Sequence, residues 1–168
     1  MPEAFVYPSW DRAVPRSLPA RSYFYHLEPL ATGSPQVESL TSYLMRLAEA
    51  HNVTVGVLLN QELLPKVRAA FSRRTYRLKT EVTFVYASHT LNGVAQCAHD
   101  WVSVLEGLTG IRPLQGLTMI AWSEVISGRD LIRHQHAWCP HCLEDWRESG
   151  EPVYAPLLWS VFVYRAGY

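Results

Sequence analysis

The chain has 168 residues, of which 48% are hydrophobic and 12% aromatic; a disordered chain could not hold this much apolar material, so a buried core is expected. Its 15 basic and 15 acidic residues cancel, which excludes the overall positive field that holds some proteins on nucleic acid without sequence preference. No apolar run approaches the roughly 20 residues that span a bilayer, and the start MPEA is not the basic start of a secretory signal, so a cytoplasmic location is expected.

The first 37 residues are predicted to form an extended arm. They contain six of the eleven prolines, and each proline lacks a backbone donor and restricts the residue before it, which excludes long helices. The arm is also rich in aromatic side chains, including Trp10, Tyr23 and Tyr25. Two alternatives follow: the arm packs on its own domain, or it docks on a partner protein.

The next segment predicts two helices joined by a short turn. The first helix has one apolar stripe at the i, i+3, i+4, i+7 spacing, formed by Leu40, Tyr43, Leu44, Leu47 and Ala48. Ser39 or Glu38 is placed to cap its start, and Thr54 is placed to cap a second helix expected to end near Leu59. This is a helix-turn-helix outline, for which an ordinary hairpin of two helices is the alternative.

A basic stretch follows the second helix. Residues 1–80 hold ten basic against six acidic residues, whereas residues 81–168 hold five against nine. Any DNA contact is therefore expected from the first half of the chain, where side chains that bind phosphates would position the protein without reading sequence. The candidate phosphate contacts are Arg68, Arg73, Arg74, Arg77 and Lys79. The alternative is that this run is a solvated face.

The second half of the chain predicts more helices and few strands. A buried helical face is expected to begin at Asn92 and to end near Gly110. Residues 117–126 are expected to form one more short helix. Strand signals are weak except at residues 82–86 and 158–164.

Cys139 and Cys142 are separated by two residues in the turn Cys-Pro-His-Cys. Two thiolates at this spacing can both reach one Zn²⁺ at about 2.3 Å, which supplies half of a tetrahedral site. A structural zinc needs four ligands, and no later cysteine or histidine follows the pair in this sequence. His134 and His136 are nearby candidate ligands because imidazole suits zinc, and solvated histidines are their alternative.

The same segment, WCPHC at 138–142, resembles the active-site turn of thioredoxin-fold disulfide oxidoreductases, where a helix N-terminus lowers the pKa of the first thiol. That fold needs a βαβ unit before the motif and a long helix with further strands after it. The polar residues that follow Cys142 make a long helix there unexpected. A thiol oxidoreductase is therefore kept only as an alternative, and no other catalytic motif stands out.

These elements predict a mainly α fold in three parts. The arm occupies residues 1–37, and a helix-turn-helix-like helical domain occupies residues 38–130. A small, partial zinc-knuckle module with short strands is expected at residues 131–168.

Five segments resemble, in order, the motifs of the TniQ family. They read ESLTSYLMRLA at 38–48, LEGLTG at 105–110, LT at 117–118 with Trp122, WCPHCL at 138–143 and YAPLLW at 154–159. Arg46, in the first segment, is expected to make a hydrogen bond inside the domain. The family usually completes a zinc knuckle with Cys-x-x-His shortly after the last segment, and this sequence lacks that pair. Truncation is the favoured explanation, and a site rebuilt from His134 or His136 is the other.

The resemblance implies a non-enzymatic adaptor in DNA transposition, acting in the bacterial cytoplasm. Such proteins recruit the AAA+ ATPase (TnsC-like) of the transposon, which brings the transposase to target DNA. Some bridge an RNA-guided CRISPR complex to the ATPase and others recognise an attachment site directly, and the sequence leaves both uses open, as it does a homodimer. Trp10, Tyr23 and Tyr25 are the candidate ATPase contacts, because aromatic residues concentrate binding energy at interfaces. A stand-alone helix-turn-helix DNA-binding protein is the alternative.

Overall fold

A computed structural model describes residues 21–71, 90–135 and 137–162. Several predictions made from the sequence therefore lie outside the described residues: Trp10 in the arm, the strand at 82–86, the basic residues Arg73, Arg74, Arg77 and Lys79, and His136. The described part of the chain is mainly helical, as the sequence predicts, and it contains two isolated β-bridges rather than strands. None of its helices is both long and apolar enough to cross a membrane.

Helix α1 (Leu40–Ala50) confirms the clearest sequence prediction. Ser39 is its N-cap, and the Ser39 hydroxyl accepts a hydrogen bond from the Ser42 backbone N–H at 3.2 Å. The whole predicted apolar stripe is buried. The chain leaves the helix through Asn52 at φ 58°, a left-handed conformation that asparagine tolerates better than most residues.

The second helical stretch is longer than predicted and changes its winding. It consists of α2 (Val55–Val57), a π-helical segment (Leu58–Leu63) and α3 (Leu64–Ala70). Thr54 caps its start as predicted, accepting a hydrogen bond from the Val57 N–H. The π-helical segment ends just before Pro65, which has no N–H to donate and whose ring would crowd the carbonyl four residues earlier. Wider winding before the proline lets the helix continue past Leu59.

Helix α4 (Gln96–Thr109) forms the opposite wall of the core. Ala98, Trp101 and Leu105 are buried on its inner face, and Gly110 ends it at φ 74°. The predicted start at Asn92 is four residues too early. Asn92 instead turns its side chain toward the start of α1, where its Oδ1 accepts the Thr41 N–H at 3.1 Å.

The predicted helix at 117–126 is wrong. That segment contains parts of two 3₁₀ turns, Gln115–Leu117 and Ile120–Trp122, separated by Thr118 in extended conformation. The Thr118 hydroxyl donates to the Gln115 carbonyl at 2.7 Å and accepts the Ile120 N–H at 3.2 Å. These local bonds from a side chain compete with a regular helix.

The last part of the chain also differs from the prediction. Helix α5 (Pro140–Ser149) begins inside the cysteine motif and ends at Gly150, φ 70°, where no long helix was expected. The predicted strand at 158–164 is wrong at its start, because Leu157–Ser160 is a 3₁₀ turn. Val161 then forms one antiparallel bridge with Ile132, and residues 163–168 lie outside the described residues.

The core consists of two clusters of buried apolar side chains. The larger cluster lies between α1, the α2–α3 stretch and α4, and it includes Phe24 from the arm. The smaller cluster contains Met119, Leu131, Ile132 and Leu157, with Val37 packed against both clusters. The segment at 154–161 is thus anchored on the helical core.

Candidate metal half-site and recognition surfaces

The cysteine pair lies at the N-terminus of α5. Cys139 is the N-cap residue and Pro140 is in the first turn, where a missing N–H costs nothing. The neighbouring backbone N–H of Cys142 and, after it, the Cys142 thiol hold the pKa of Cys139 below its usual value. The same contact between the two thiols, followed by burial, raises the pKa of Cys142. The two thiols therefore lie close enough to influence each other.

This arrangement fits half of a zinc site. Two thiols on one turn at the start of a helix match the donor chemistry that zinc takes from thiolates. Among residues 21–71, 90–135 and 137–162, however, no three His, Cys, Asp or Glu side chains gather closely enough to hold a metal. His134 is exposed and lines a different cavity of about 470 Å³ with Arg133 and Phe162.

Cys97, the remaining cysteine, belongs to the helical core. It lies in α4, and burial is the main cause that raises the pKa of its thiol. A buried thiol with a raised pKa behaves as a small apolar side chain.

The described end of the arm packs on its own domain. Phe24 is 5% exposed and its N–H donates to the Leu108 carbonyl at 2.8 Å, which fixes this segment against the end of α4. The side chains on either side of it, Tyr23 and Tyr25, remain 60% and 58% exposed. The structure thus realises the first alternative for this segment and still presents both tyrosine rings to solvent.

Each exposed tyrosine is held by specific neighbours. The Tyr23 hydroxyl donates to Glu62 Oε2 at 2.9 Å, and Lys66 Nζ lies 4.3 Å from the centre of the Tyr23 ring. Tyr25 lies against the His51 ring with a centroid distance of 4.5 Å. Restricted rings lose less conformational entropy when a partner binds.

One predicted phosphate contact lies within the described residues. Arg68 is exposed in the last turn of α3, where a cation is favoured by the negative end of the helix dipole. Lys66, two residues earlier, is paired with Glu62 at 2.8 Å, so part of the positive charge is compensated on the helix itself.

Several structural residues were not recognised from the sequence. Glu38 is fully buried, and its carboxylate accepts hydrogen bonds from the Leu30 N–H, the Ser42 hydroxyl and the Arg46 guanidinium, the last at 2.6 Å. The predicted intradomain role of Arg46 is therefore confirmed. The sequence spacing could have indicated this network, since Glu38, Ser42 and Arg46 are four residues apart and so lie on one side of α1 and its cap.

A further surface feature is a groove of about 490 Å³ beside the second 3₁₀ turn. It lies between residues 28–37 and 111–122, with Pro29, Arg112 and Trp122 among its lining. Trp122 is 53% exposed at this groove, whereas Leu117, in the same motif segment, is buried.

The described residues define a helical class of protein, in which packed helices carry exposed aromatic side chains. Those before Cys139 lack the sheet that a thioredoxin fold requires. The family model described as TniQ matches residues 29–166, most of the chain, and the protein belongs to the TniQ family. Members of this family act in the selection of transposition targets and are generally non-catalytic. A comparison with curated proteins gave no match.

Proposed function

We propose that this protein is a non-enzymatic adaptor that links a DNA-bound or RNA-guided targeting complex to the AAA+ ATPase of its transposon. The observation that carries the proposal is the pair of restrained, exposed tyrosines at the arm, within a chain of the TniQ family. Aromatic side chains that are rigid before binding are efficient interface anchors. The ATPase contact is assigned to Tyr23 and Tyr25, together with Trp10, which lies outside the described residues.

The DNA side of the adaptor is assigned to the basic residues at the end of the second helical stretch. Arg68 is placed at the C-terminal end of α3, and Arg73, Arg74, Arg77 and Lys79 follow it in the sequence. Their charges would bind phosphates of target DNA or of a nucleoprotein partner, and binding would weaken steeply with added salt.

The zinc half of the proposal concerns Cys139 and Cys142. Both thiolates would bind one Zn²⁺, and His136 or His134 would be candidate further ligands. Zinc would supply a structural crosslink there rather than chemistry.

The adaptor function is tested by co-sedimentation of the full chain with the AAA+ ATPase encoded beside it, with ATP and duplex DNA. Tyr25→Ala is expected to reduce ATPase-dependent recovery at least tenfold, and Phe162→Ala, an equally exposed aromatic residue, serves as the matched control. Binding that requires the ATPase supports an adaptor. Equal recovery of both variants would remove Tyr25 from the interface.

A stand-alone DNA-binding protein is the second candidate, favoured by the two capped helices that meet at a short turn. Tight binding to duplex DNA without the ATPase would support it. The charge-reversed variant Arg73→Glu with Arg74→Glu separates the DNA side from the ATPase side, with Arg112→Glu plus Arg129→Glu as the control of equal charge change. Unchanged binding of the first variant at low salt would contradict the assigned phosphate contacts.

The thiol oxidoreductase alternative draws support from the lowered pKa of Cys139 at a helix N-terminus. A thiol-exchange assay with Cys139→Ser as control separates it from the adaptor function. Turnover abolished by that variant would favour the enzyme, and equal background rates would remove it.

A further inference from the structure

Helix α5 carries the two cysteines but is attached to the remainder of the protein at few points. None of its residues is buried. Among the described residues, no hydrogen bond or ion pair joins α5 to another helix: the His141–Asp145 contact lies within the helix, and the Trp146 carbonyl bonds to Gly150 and Glu151 just after it. Side-chain packing does join α5 to the remainder of the protein.

Trp146 supplies that packing. Its ring stacks on Tyr154 with a centroid distance of 4.7 Å and an interplanar angle of 23°, and it lies 5.9 Å from the ring of Trp159. Trp159 is 6% exposed and so belongs to the body of the protein. Trp146 is one turn of helix beyond Cys142, on the same side of α5. The stack therefore holds the helix whose first turn carries both thiols.

The partners of Trp146 are themselves anchored on α1. The Ala155 N–H donates to the Ser42 hydroxyl at 2.9 Å, and the Leu157 N–H donates to the Val37 carbonyl at 2.8 Å. The Ser39 N–H donates to the Ala155 carbonyl at 2.9 Å. A continuous path thus runs from the first turn of α1 through the aromatic stack to the cysteine pair.

We infer that Trp146 is a positioning residue that holds the Cys139–Cys142 half-site on the helical core, through its stack with Tyr154 and Trp159. The inference rests on the proposed zinc function of that pair. A metal site gains affinity when its ligands are oriented before the metal arrives, and loss of such support costs about 10–100-fold in metal affinity. Trp146 is not itself a ligand, so its role in metal binding is to hold the helix that carries the thiols.

The test uses the full chain and Co²⁺, whose thiolate charge-transfer band reports the two sulfur ligands. Trp146→Ala is expected to weaken cobalt binding at least tenfold and to reduce the band, whereas Trp146→Phe keeps an aromatic ring and is expected to restore most of the affinity. Trp122→Ala, which removes an exposed tryptophan elsewhere, is the matched control. Tyr154→Leu removes one side of the stack and gives a second, independent variant.

The outcomes separate the two hypotheses. Unchanged cobalt affinity in both Trp146→Ala and Tyr154→Leu would overturn the positioning role of Trp146. It would not contradict metal binding by Cys139 and Cys142. A wild-type chain with no more charge-transfer absorption than Cys139→Ser would overturn zinc binding and, with it, this inference. Thermal unfolding of the metal-free variants is the control for general loss of structure. A positioning role predicts an unfolding midpoint close to that of the wild type.

Discussion

Asn92 is a buried polar residue that joins three segments distant in sequence. Its side-chain N–H₂ donates to the hydroxyls of Thr41 and Ser160, both at 3.0 Å, while its Oδ1 accepts the Thr41 N–H. Its own carbonyl accepts the Met119 N–H at 2.9 Å. A side chain that satisfies its hydrogen-bonding groups in this way is fixed in one orientation.

Replacing Asn92 by alanine is expected to lower the free energy of unfolding by about 3 kcal/mol, because the Thr41 N–H and two hydroxyls lose buried partners. Urea denaturation of both proteins measures the difference. Asn60→Ala changes an exposed asparagine and is expected to stay within about 0.5 kcal/mol of wild type. Equal effects of the two substitutions would contradict the structural role of Asn92.

Glu38 offers a test of burial against charge pairing. Burial, the larger influence, raises the pKa of Glu38 above its ordinary 4.5, although Arg46 and two further donors oppose the rise. The folded protein then holds this proton more tightly than the unfolded chain does. The stability that this adds is complete below the unfolded pKa and is lost as pH rises through the folded pKa.

Glu38→Gln removes this titration, so the stability of wild type relative to the variant is expected to fall as pH rises from below 4.5 through the folded pKa. Other carboxyl groups titrate in both proteins and cancel in the comparison. Chemical denaturation at a series of pH values provides the measurement. A relative stability that increases with pH would mean that the Arg46 pair outweighs burial.

Helix α1 and its connection to the next helix were predictable because their signals are local. The stripe that includes Tyr43 and Leu47 has helical period, and the caps at Ser39 and Thr54 bond to N–H groups three residues away. Nothing distant in sequence is needed to fix these features. The two cysteines of the candidate site were predictable for the same reason, since a spacing of two residues places both thiols on one turn.

The elements that were predicted wrongly depend on side-chain hydrogen bonds that compete with a helix, or on partners distant in sequence. Thr118 diverts the chain from a helix through its own hydroxyl, and Asn92 leaves α4 for a partner 51 residues away. Helix α5 has no buried residue and is held by Trp146 on rings that come later in the chain. Periodicity contains no information about such partners.

The start of α5 makes its two thiols unequal. Because backbone N–H groups stabilise the Cys139 thiolate, its pKa lies below the ordinary 9.0, whereas contact with Cys139 raises the pKa of Cys142 and burial raises that of Cys97. Thiolates are the reactive form. In metal-free protein near neutral pH, iodoacetamide is therefore expected to modify Cys139 first.

Peptide mass spectrometry over time gives the three rates. The preference for Cys139 is expected to shrink as pH rises above 9, where the other thiols also ionise. Faster modification of Cys142 than of Cys139 would contradict the order of the two thiol pKa values.

Two of the motif segments, at 38–48 and 154–159, meet at the first turn of α1. Glu38 bridges to Pro156, Ser42 accepts from Ala155, and Ser160 bonds to Asn92. The smaller apolar cluster closes over the same region, with Leu157 packed beside Val37. The segment at 154–160 is therefore part of the fold of the N-terminal helices, although more than 100 residues lie between them.

This convergence predicts that the chain unfolds as one cooperative unit. Truncation after Gly150 is expected to uncover Val37 and to remove one hydrogen-bond partner each from Ser42 and Asn92. The unfolding midpoint is therefore expected to fall strongly and the transition to broaden. Truncation after Phe162 keeps every contact described above and is the matched control. Circular dichroism during thermal unfolding distinguishes the two, and a sharp, wild-type transition in the shorter chain would mean that the N-terminal helices fold without the segment that holds Trp159.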